Sequence, residues 1–226
     1  MNLILNIDTA LGLASVCLAK DGKPQHFLVN EEPMDHAAWL HKAVVDVLEK
    51  SGYKIRQLQA VAVNMGPGSY TGLRVGMAAD KGFSYALEMP LIVVNSLEIL
   101  AFAVVDEAAG VDLICPMVDA RRMEVFTAVY DKGLDVKVGP QAMVVNENSY
   151  SGLLSSNKIL FCGCGSKKFR PILNNPNAFF STTSSTAIHL AQLSHKSFQK
   201  KQFADRAYAE PLYIKEFYSP AHRPIS

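Results

Sequence analysis

The chain has 226 residues, 49% of them apolar, with 22 Lys and Arg against 21 Asp and Glu for a formal net charge of +1. These figures exclude a disordered chain and allow one large domain or two small ones, each with a core. The near-balanced charge excludes a strong long-range field for polyanions, though not a local basic patch.

Asn2 to Ile7 is a short, almost continuous apolar run, the pattern of a central strand, and Asp8-Thr9 stands at its end. It lacks a basic n-region, so it reads as a strand and not as a signal peptide. Leu13 to Ala19 is the next strand, Asp21-Gly22 a turn, and Gln25 to Val29 a third strand, giving a meander. Asp35 can cap a helix running to about Lys50, with Ala37, Leu40, Val44, Val47 and Leu48 as its core stripe. Trp39 and Ala43 flank that stripe. Trp39 either meets a partner or folds down over its own domain.

The stretch Gly66-Pro67-Gly68-Ser69-Tyr70-Thr71-Gly72-Leu73-Arg74-Val75-Gly76 follows the apolar run Ala60 to Val63 and opens a helical pattern to about Leu87. It reads as strand, Gly/Pro turn and helix N-terminus, with Ser69 or Thr71 as cap. Such a turn either binds an anion through its N–H groups or packs tightly against a neighbour. It is not a Walker loop, because the lysine at its required spacing is missing. One face of this helix carries Gly72, Val75, Ala79, Gly82 and Ala86, and Leu73 and Met77 lie opposite. A helix apolar on two sides is expected to be covered on two sides.

Leu91 to Val94 is a strand and Ser96 caps a helix from Leu97 to Val105. The order βββαβαβα is that of a ribonuclease H-like, actin-type half. A boundary falls at Asp106 to Gly110, dividing the chain into lobes of residues 1–105 and 106–226. Strands then resume at Leu113 to Val118 and Glu124 to Tyr130, with Asp119-Ala120-Arg121-Arg122 between them. Asp119 ends its strand as Asp8 does, which hints at an internal duplication. Lys158 to Cys162 is a strand followed by Gly163-Cys164-Gly165, Ser166 to Leu173 a short helix, and Thr186 to about Lys200 a longer one. The tail begins at Pro211-Leu212-Tyr213 and ends in polar, Pro-containing sequence read as mobile.

Metal chemistry finds little support. His36 and His41, five apart on a helix, point about 140° from each other, whereas a metal pair wants a spacing of four. His189 and His195 fail in the same way. Cys17, Cys115, Cys162 and Cys164 form neither a zinc framework nor a disulfide scaffold, which suits a reducing cytoplasm.

The motifs Ile7-Asp8-Thr9, Gly66 to Gly76, Asn95-Ser96-Leu97, Asp119-Ala120-Arg121-Arg122 with Glu124-Val125-Phe126, and Pro211-Leu212-Tyr213 run in order along nearly the whole chain. In these it resembles the TsaB (YeaZ) family of tRNA threonylcarbamoyladenosine biosynthesis proteins. The resemblance implies an α/β fold of the actin/Hsp70/sugar-kinase kind, with two ribonuclease H-like lobes of mixed sheet. It implies a non-catalytic scaffold subunit that pairs with the catalytic paralogue TsaD and the ATPase TsaE. Contact with tRNA would then come through the complex, and the chain alone would form a homodimer. It implies no catalytic residue, no metal, no resident cofactor and no membrane.

The expected partner surface is Trp39, Ala43, Leu73 and Met77. A degenerate nucleotide cleft would comprise Asp8, Thr9, Gly66, Gly68, Ser69 and Asp119. Two alternatives stand beside the scaffold. An ATPase or small-molecule kinase of the same fold would use Asp8 or Asp119 for metal or as base. A direct tRNA-binding module would use the basic clusters Lys167, Lys168, Arg170 and Lys196, Lys200, Lys201.

Overall fold

The computed structural model describes residues 2–30 and 36–215. The expected cap Asp35 and the end of the tail lie outside the described residues.

The first sheet is built on β1 (Leu3–Asp8), every residue of which is buried. It pairs antiparallel with β2 (Ser15–Lys20) and parallel with β4 (Ala60–Gly66), so both of its edges are occupied. A nearly continuous apolar run is what a strand buried on both faces requires. β3 (Lys23–Val29) continues the meander from β2 through Asp21 and Gly22, both at positive φ, as a tight hairpin demands. β5 (Leu91–Asn95) completes the order β3-β2-β1-β4-β5.

The second sheet repeats this plan. β6 (Leu113–Asp119), β7 (Glu124–Asp131), β8 (Val136–Val144), β9 (Ile159–Cys162) and β10 (Ala178–Phe180) are arranged β8-β7-β6-β9-β10. As in the first sheet, the meander is antiparallel and the two later strands join in parallel. The duplication hinted at by two strand-ending aspartates is therefore present in the topology.

Helix α1 (His36–Ser51) buries Leu40, Ala43, Val44, Val47 and Leu48 against the first sheet. Those spacings form one apolar face, rotated from the expected stripe: Ala37 is exposed and Ala43 takes its place inside. Helix α2 (Tyr70–Ala86) lies beside it, with the His41 and Phe83 rings 6.2 Å apart. Helix α3 (Ser96–Ala103) is capped by Asn95, whose side chain accepts from Leu97 N at 2.7 Å. The expected cap Ser96 instead donates its hydroxyl to Asn64 Oδ1.

Two helices cross between the lobes. Leu97, Leu100, Ala101 and Val104, in and just after α3, pack with Ile114, Val118 and Leu160 of the second sheet. Helix α6 (Ala187–Gln199) returns to the first, where Leu190 and Leu193 meet Ile4, Ala62 and Ile92. Polar atoms on this buried seam are paired: Ser194 Oγ donates to Asn6 Oδ1 at 2.5 Å, and Asn6 donates to Ile4 O and Cys17 O.

The chain beyond α6 packs back on the first lobe. Ala204 N donates to Leu91 O at 2.8 Å and Leu212 N to Met65 O at 2.7 Å. Short helices α4 (Ser151–Leu154) and α5 (Ser166–Phe169) cap the second sheet, α5 ending before the expected Leu173. Among the described residues, no helix is long and apolar enough to cross a membrane.

Candidate functional site

The Gly/Pro turn leaves β4 through a cis Gly66–Pro67 peptide and enters α2 at Ser69. Ser69 is the cap, its Oγ accepting from Gly72 N at 3.3 Å, while Thr71 sits exposed on the first turn. Against this helix end lies the β1–β2 connection. Ser69 N donates to Ala10 O at 2.8 Å, and Thr9 Oγ1 donates to Gly72 O at 2.7 Å.

Glycine makes that approach feasible. A Cβ on Gly68 would lie 2.3 Å from Ala10 O, one on Gly72 2.0 Å from Thr9 O, and one on Gly76 2.4 Å from Thr9 Oγ1. Glycines four apart line one helix face and form a channel for the Thr9–Ala10 backbone. A helix N-terminus can receive an anion through its free N–H groups. Here the carbonyl of Ala10 already occupies the Ser69 N–H. The tight-packing reading of the turn is the one observed.

Asp8 is buried under this clasp. Its Oδ1 accepts from Ala10 N at 3.1 Å and from Asn64 Nδ2 at 3.0 Å. Asn64 Oδ1 in turn accepts from Gly66 N and Ser96 Oγ, so Asp8, the Gly/Pro turn and the start of α3 share one network. Burial pushes the Asp8 carboxyl up to about 6, against the lowering effect of its two donors.

Asp119 holds the matching place in β6 but is solvated. Partial burial works against its ionisation, yet the Arg121 N–H at 2.7 Å and the Lys168 ammonium at 3.0 Å outweigh it and hold its pKa below the ordinary value. Arg121 and Arg122 have φ of 70° and 47°, an arrangement that costs energy in residues bearing a Cβ. Lys168 Nζ ties this turn down through Arg122 O at 2.7 Å and Glu124 O at 2.9 Å. Lys168 is thus committed within the chain, and Lys196 sits 5.2 Å over the Phe102 ring.

Two recesses open between the lobes. One, of about 550 Å³, lies among Gly68, Tyr70, Arg74, Arg121, Phe126 and the returning tail. There Arg74 donates to Tyr213 Oη at 3.1 Å and stacks 4.0 Å over Tyr70, while Lys215 pairs with Glu124 at 2.5 Å. The tail so joins the two lobes. The other recess, of about 310 Å³, runs from Leu11 and Leu13 past Leu100 and Cys164 to Arg170 and the segment following β10. Of the expected cleft residues, Asp8, Thr9, Gly66, Gly68 and Ser69 come together, and Asp119 faces Lys168 in the other lobe. The loop residues that line the smaller recess were missed from the sequence. The run Ser181-Thr182-Thr183-Ser184-Ser185-Thr186 was the signal available there.

The expected partner surface needs correction. Ala43 and Met77, 2% and 3% exposed, belong to the first lobe's own core, and Leu73, 1% exposed, is buried against Gly66 beside the larger recess, so a partner cannot reach them in the folded chain. Trp39 is half-buried and packs on the same core. The outward stripe of α2 is Thr71, Ala78, Gly82 and Ala86, beside Ala37, Ala38, His41 and Val45 of α1. Among the described residues, nothing lies within 4 Å of where a Gly82 Cβ would be. Among the described residues, no group of three His, Cys, Asp or Glu side chains is placed to hold a metal.

A family model described as TsaD, tRNA N6-adenosine threonylcarbamoyltransferase, matches residues 32–221. The tRNA threonylcarbamoyladenosine biosynthesis protein TsaB of Bacillus subtilis is 27% identical over 217 residues, 94% of this chain and 93% of that protein. The chain belongs to this family, in its TsaB (YeaZ) branch. The Escherichia coli TsaB is 35% identical over 130 residues, 57% of this chain and 55% of that protein. That match therefore spans about half the length of the E. coli relative.

Among solved structures, a Pseudomonas aeruginosa protein described as similar to peptidase YEAZ superposes with a TM-score of 0.84 at 23% identity, covering 95% of this chain and 100% of that one. A second, YeaZ from Pseudomonas aeruginosa, gives 0.77 at 24%, over 94% of this chain and 100% of that one. The activator of 2-hydroxyisocaproyl-CoA dehydratase from Clostridium difficile, solved with bound ADPNP, gives 0.51 at 8% identity over 88% of this chain and 97% of that one. The TsaB-branch chain thus has the two-lobed α/β fold of the actin/Hsp70/sugar-kinase kind, as its repeated sheet order also indicates.

Proposed function

We propose that this chain is a non-catalytic scaffold subunit in the formation of threonylcarbamoyladenosine on tRNA. It pairs with the threonylcarbamoyltransferase TsaD, works with the ATPase TsaE, and meets tRNA through the complex. The names of its TsaB relatives support the pathway. The observation that carries the non-catalytic part is the seating of Thr9 and Ala10 in the glycine channel of α2. It commits the Ser69 N–H to Ala10 O, while Asp8 Oδ1 accepts from Ala10 N and Asn64 Nδ2 within the chain. An ATPase or kinase reading would need those same groups turned toward a nucleotide.

The partner surface is the outward face of α1 and α2, with Trp39 at its edge. The TsaD model matches the residues of both helices, so a TsaD partner presents equivalent helices and the pair can meet about a pseudo-two-fold axis. The small side chains at Ala78, Gly82 and Ala86 let helices approach closely, and Val45, 51% exposed, supplies apolar area. In the absence of TsaD, a second copy takes the same place.

Co-purification with TsaD tests this. Gly82→Glu or Ala78→Glu is expected to abolish pairing while leaving the melting temperature within a few degrees of the parent. Leu73→Asp is expected to unfold the first lobe instead. Undiminished pairing in the Gly82 and Ala78 variants would rule out this face.

A further inference from the structure

The cations of this chain are unevenly spread. Arg121 and Arg122 stand at the β6–β7 hairpin, and Lys167, Lys168 and Arg170 lie in or just after α5, which Lys168 ties to that hairpin. From the first lobe, Arg74 of α2 and Lys215 of the tail reach the same recess as Arg121. Two carboxylates lie among these cations, Asp119 and Glu124, and a lysine pairs with each. The whole chain carries a formal net charge of only +1, so its remainder is net acidic and the positive charge is local.

Arg121, Arg122, Lys167 and Arg170 are exposed, and none has a carboxylate partner among the described residues. Like charges so gathered repel one another until an anionic surface covers them. The hairpin is also held in a costly shape. Both arginines have positive φ, and Lys168 Nζ fixes the turn through Arg122 O, Glu124 O and Asp119 Oδ1. Strain that the surroundings hold in place is concentrated at functional sites. Lys168 uses its charge inside the turn and leaves both guanidinium groups free.

Aromatic rings are interleaved with the charges. Tyr70 and Tyr213 are 39% and 42% exposed, and Arg74 stacks over the Tyr70 ring. Guanidinium groups take phosphate oxygens in pairs, and half-exposed rings stack on unpaired bases. An acidic protein surface would use the charges and leave the rings without a role.

We propose that this band is an RNA contact. The phosphate backbone of tRNA lies across Arg121, Arg122, Lys167 and Arg170, with an unpaired base against Tyr70 or Tyr213. The inference rests on the tRNA-modification reading and deepens it, since the chain itself then supplies part of the tRNA contact. It does not depend on pairing with TsaD.

The other basic cluster serves as a control. Lys196 stands over the Phe102 ring and, with Lys200, beside Glu98, so its charge is partly answered within the chain.

The test is fluorescence anisotropy of a 5′-labelled, unmodified tRNA transcript, with the full chain added up to about 100 µM, the weak end of non-specific binding. Four neutralised phosphates predict an affinity that falls roughly 50- to 150-fold between 50 and 200 mM salt. Arg121→Gln/Arg122→Gln and Lys167→Gln/Arg170→Gln are each expected to weaken binding at 50 mM salt roughly fivefold or more, and to lower the slope of log affinity against log salt by about 2. Arg121→Lys/Arg122→Lys keeps the charge and is expected to keep the slope. Lys200→Gln/Lys201→Gln removes as much charge as either Gln pair and is expected to change neither quantity. All variants are compared at melting temperatures matching the parent's. No binding at 50 mM salt, unchanged binding in both Gln pairs, or equal weakening by the Lys200/Lys201 control would overturn the proposal. Intact tRNA binding with lost capture of TsaE would assign the band to a protein partner and overturn it too. Failure to pair with TsaD would sink the scaffold role and leave this result standing, because the chain is titrated alone.

Discussion

Gly72 and Thr9 are locked together: the Thr9 hydroxyl donates to Gly72 O at 2.7 Å, and a Cβ on Gly72 would stand 2.0 Å from Thr9 O. The relationship joins the end of β1 to the first turn of α2. It turns a segment that could receive a phosphate into a piece of packed core. Gly72→Ala forces that backbone apart and is expected to lower stability by roughly 1–3 kcal/mol. Urea denaturation measures it. An unchanged midpoint would mean that the clasp yields freely and that the turn is available to a ligand.

Asp8 sets part of the pH dependence. Its pKa is raised from 3.8 to about 6 by burial, so the unfolded chain ionises first. Its contribution is neutral below pH 4, turns unfavourable as pH rises to 6, and is fully unfavourable above that. A shift of this size corresponds to about 3 kcal/mol at most. Asp8→Asn keeps an acceptor for the Ala10 and Asn64 donors. It is expected to match or exceed the parent's stability at pH 7.5 and to flatten the decline between pH 4 and 6. Chemical denaturation across that range checks it.

Asp80 is the sharper case. It is 0% exposed within α2, and neither carboxylate oxygen has a hydrogen-bond partner among the described residues. Burial holds its pKa well above the ordinary value, so here too stability falls as pH rises above 4. Asp80→Ala removes the unmatched group and suits a helix interior. The variant is expected to melt higher than the parent at pH 8, with a smaller gain at pH 4. A lower melting temperature at pH 8 would show that Asp80 carries a stabilising contact.

The tail clip should be separable from the core. Tyr213→Ala removes both the Arg74 hydrogen bond and the ring that lies tilted, 5.5 Å from that of Tyr70. Hydrogen exchange at Leu212 N, bonded to Met65 O, is expected to speed up tenfold or more while amides of β1 keep their protection. Equal loosening of both would mean that the tail holds up the whole lobe.

Much of this architecture was legible from the chain. β1 announced itself as an almost continuous apolar run, the Asp21-Gly22 hairpin by its turn residues, and α2 by the Ser69 cap. The two strand-ending aspartates pointed to a repeat that the sheet order confirms. The elements missed lie at or near the edge of the second sheet. β8 carries Lys137, Gly139 and Pro140 and is half-exposed, and β10 has three residues. Short or polar edge strands keep little of the period that reveals central ones.

The site was harder to read, because its defining contacts are long-range. Gly72 and Gly76 share one helix face by their spacing and Gly68 stands just before the Ser69 cap, but that all three receive Thr9 and Ala10 is a tertiary fact. Leu73 and Met77 form an apolar stripe as expected, yet it is buried within the chain, and of the small-residue stripe Gly72 is buried against Thr9, Val75 and Ala79 are part-buried on the core, and Gly82 and Ala86 face out. Sequence periodicity gives the stripes of a two-sided helix without saying which one the sheet covers.

The scaffold claim is tested most directly by reconstitution. The threonylcarbamoyl-adenylate synthase, TsaD, TsaE, tRNA, threonine, bicarbonate and ATP are combined with this chain, without it, or with its Asp8→Asn variant. Threonylcarbamoyladenosine is then measured by mass spectrometry of the digested tRNA. The account predicts that product requires the chain and survives Asp8→Asn. Product formed equally well without the chain, or lost with a folded Asp8→Asn variant, would contradict it.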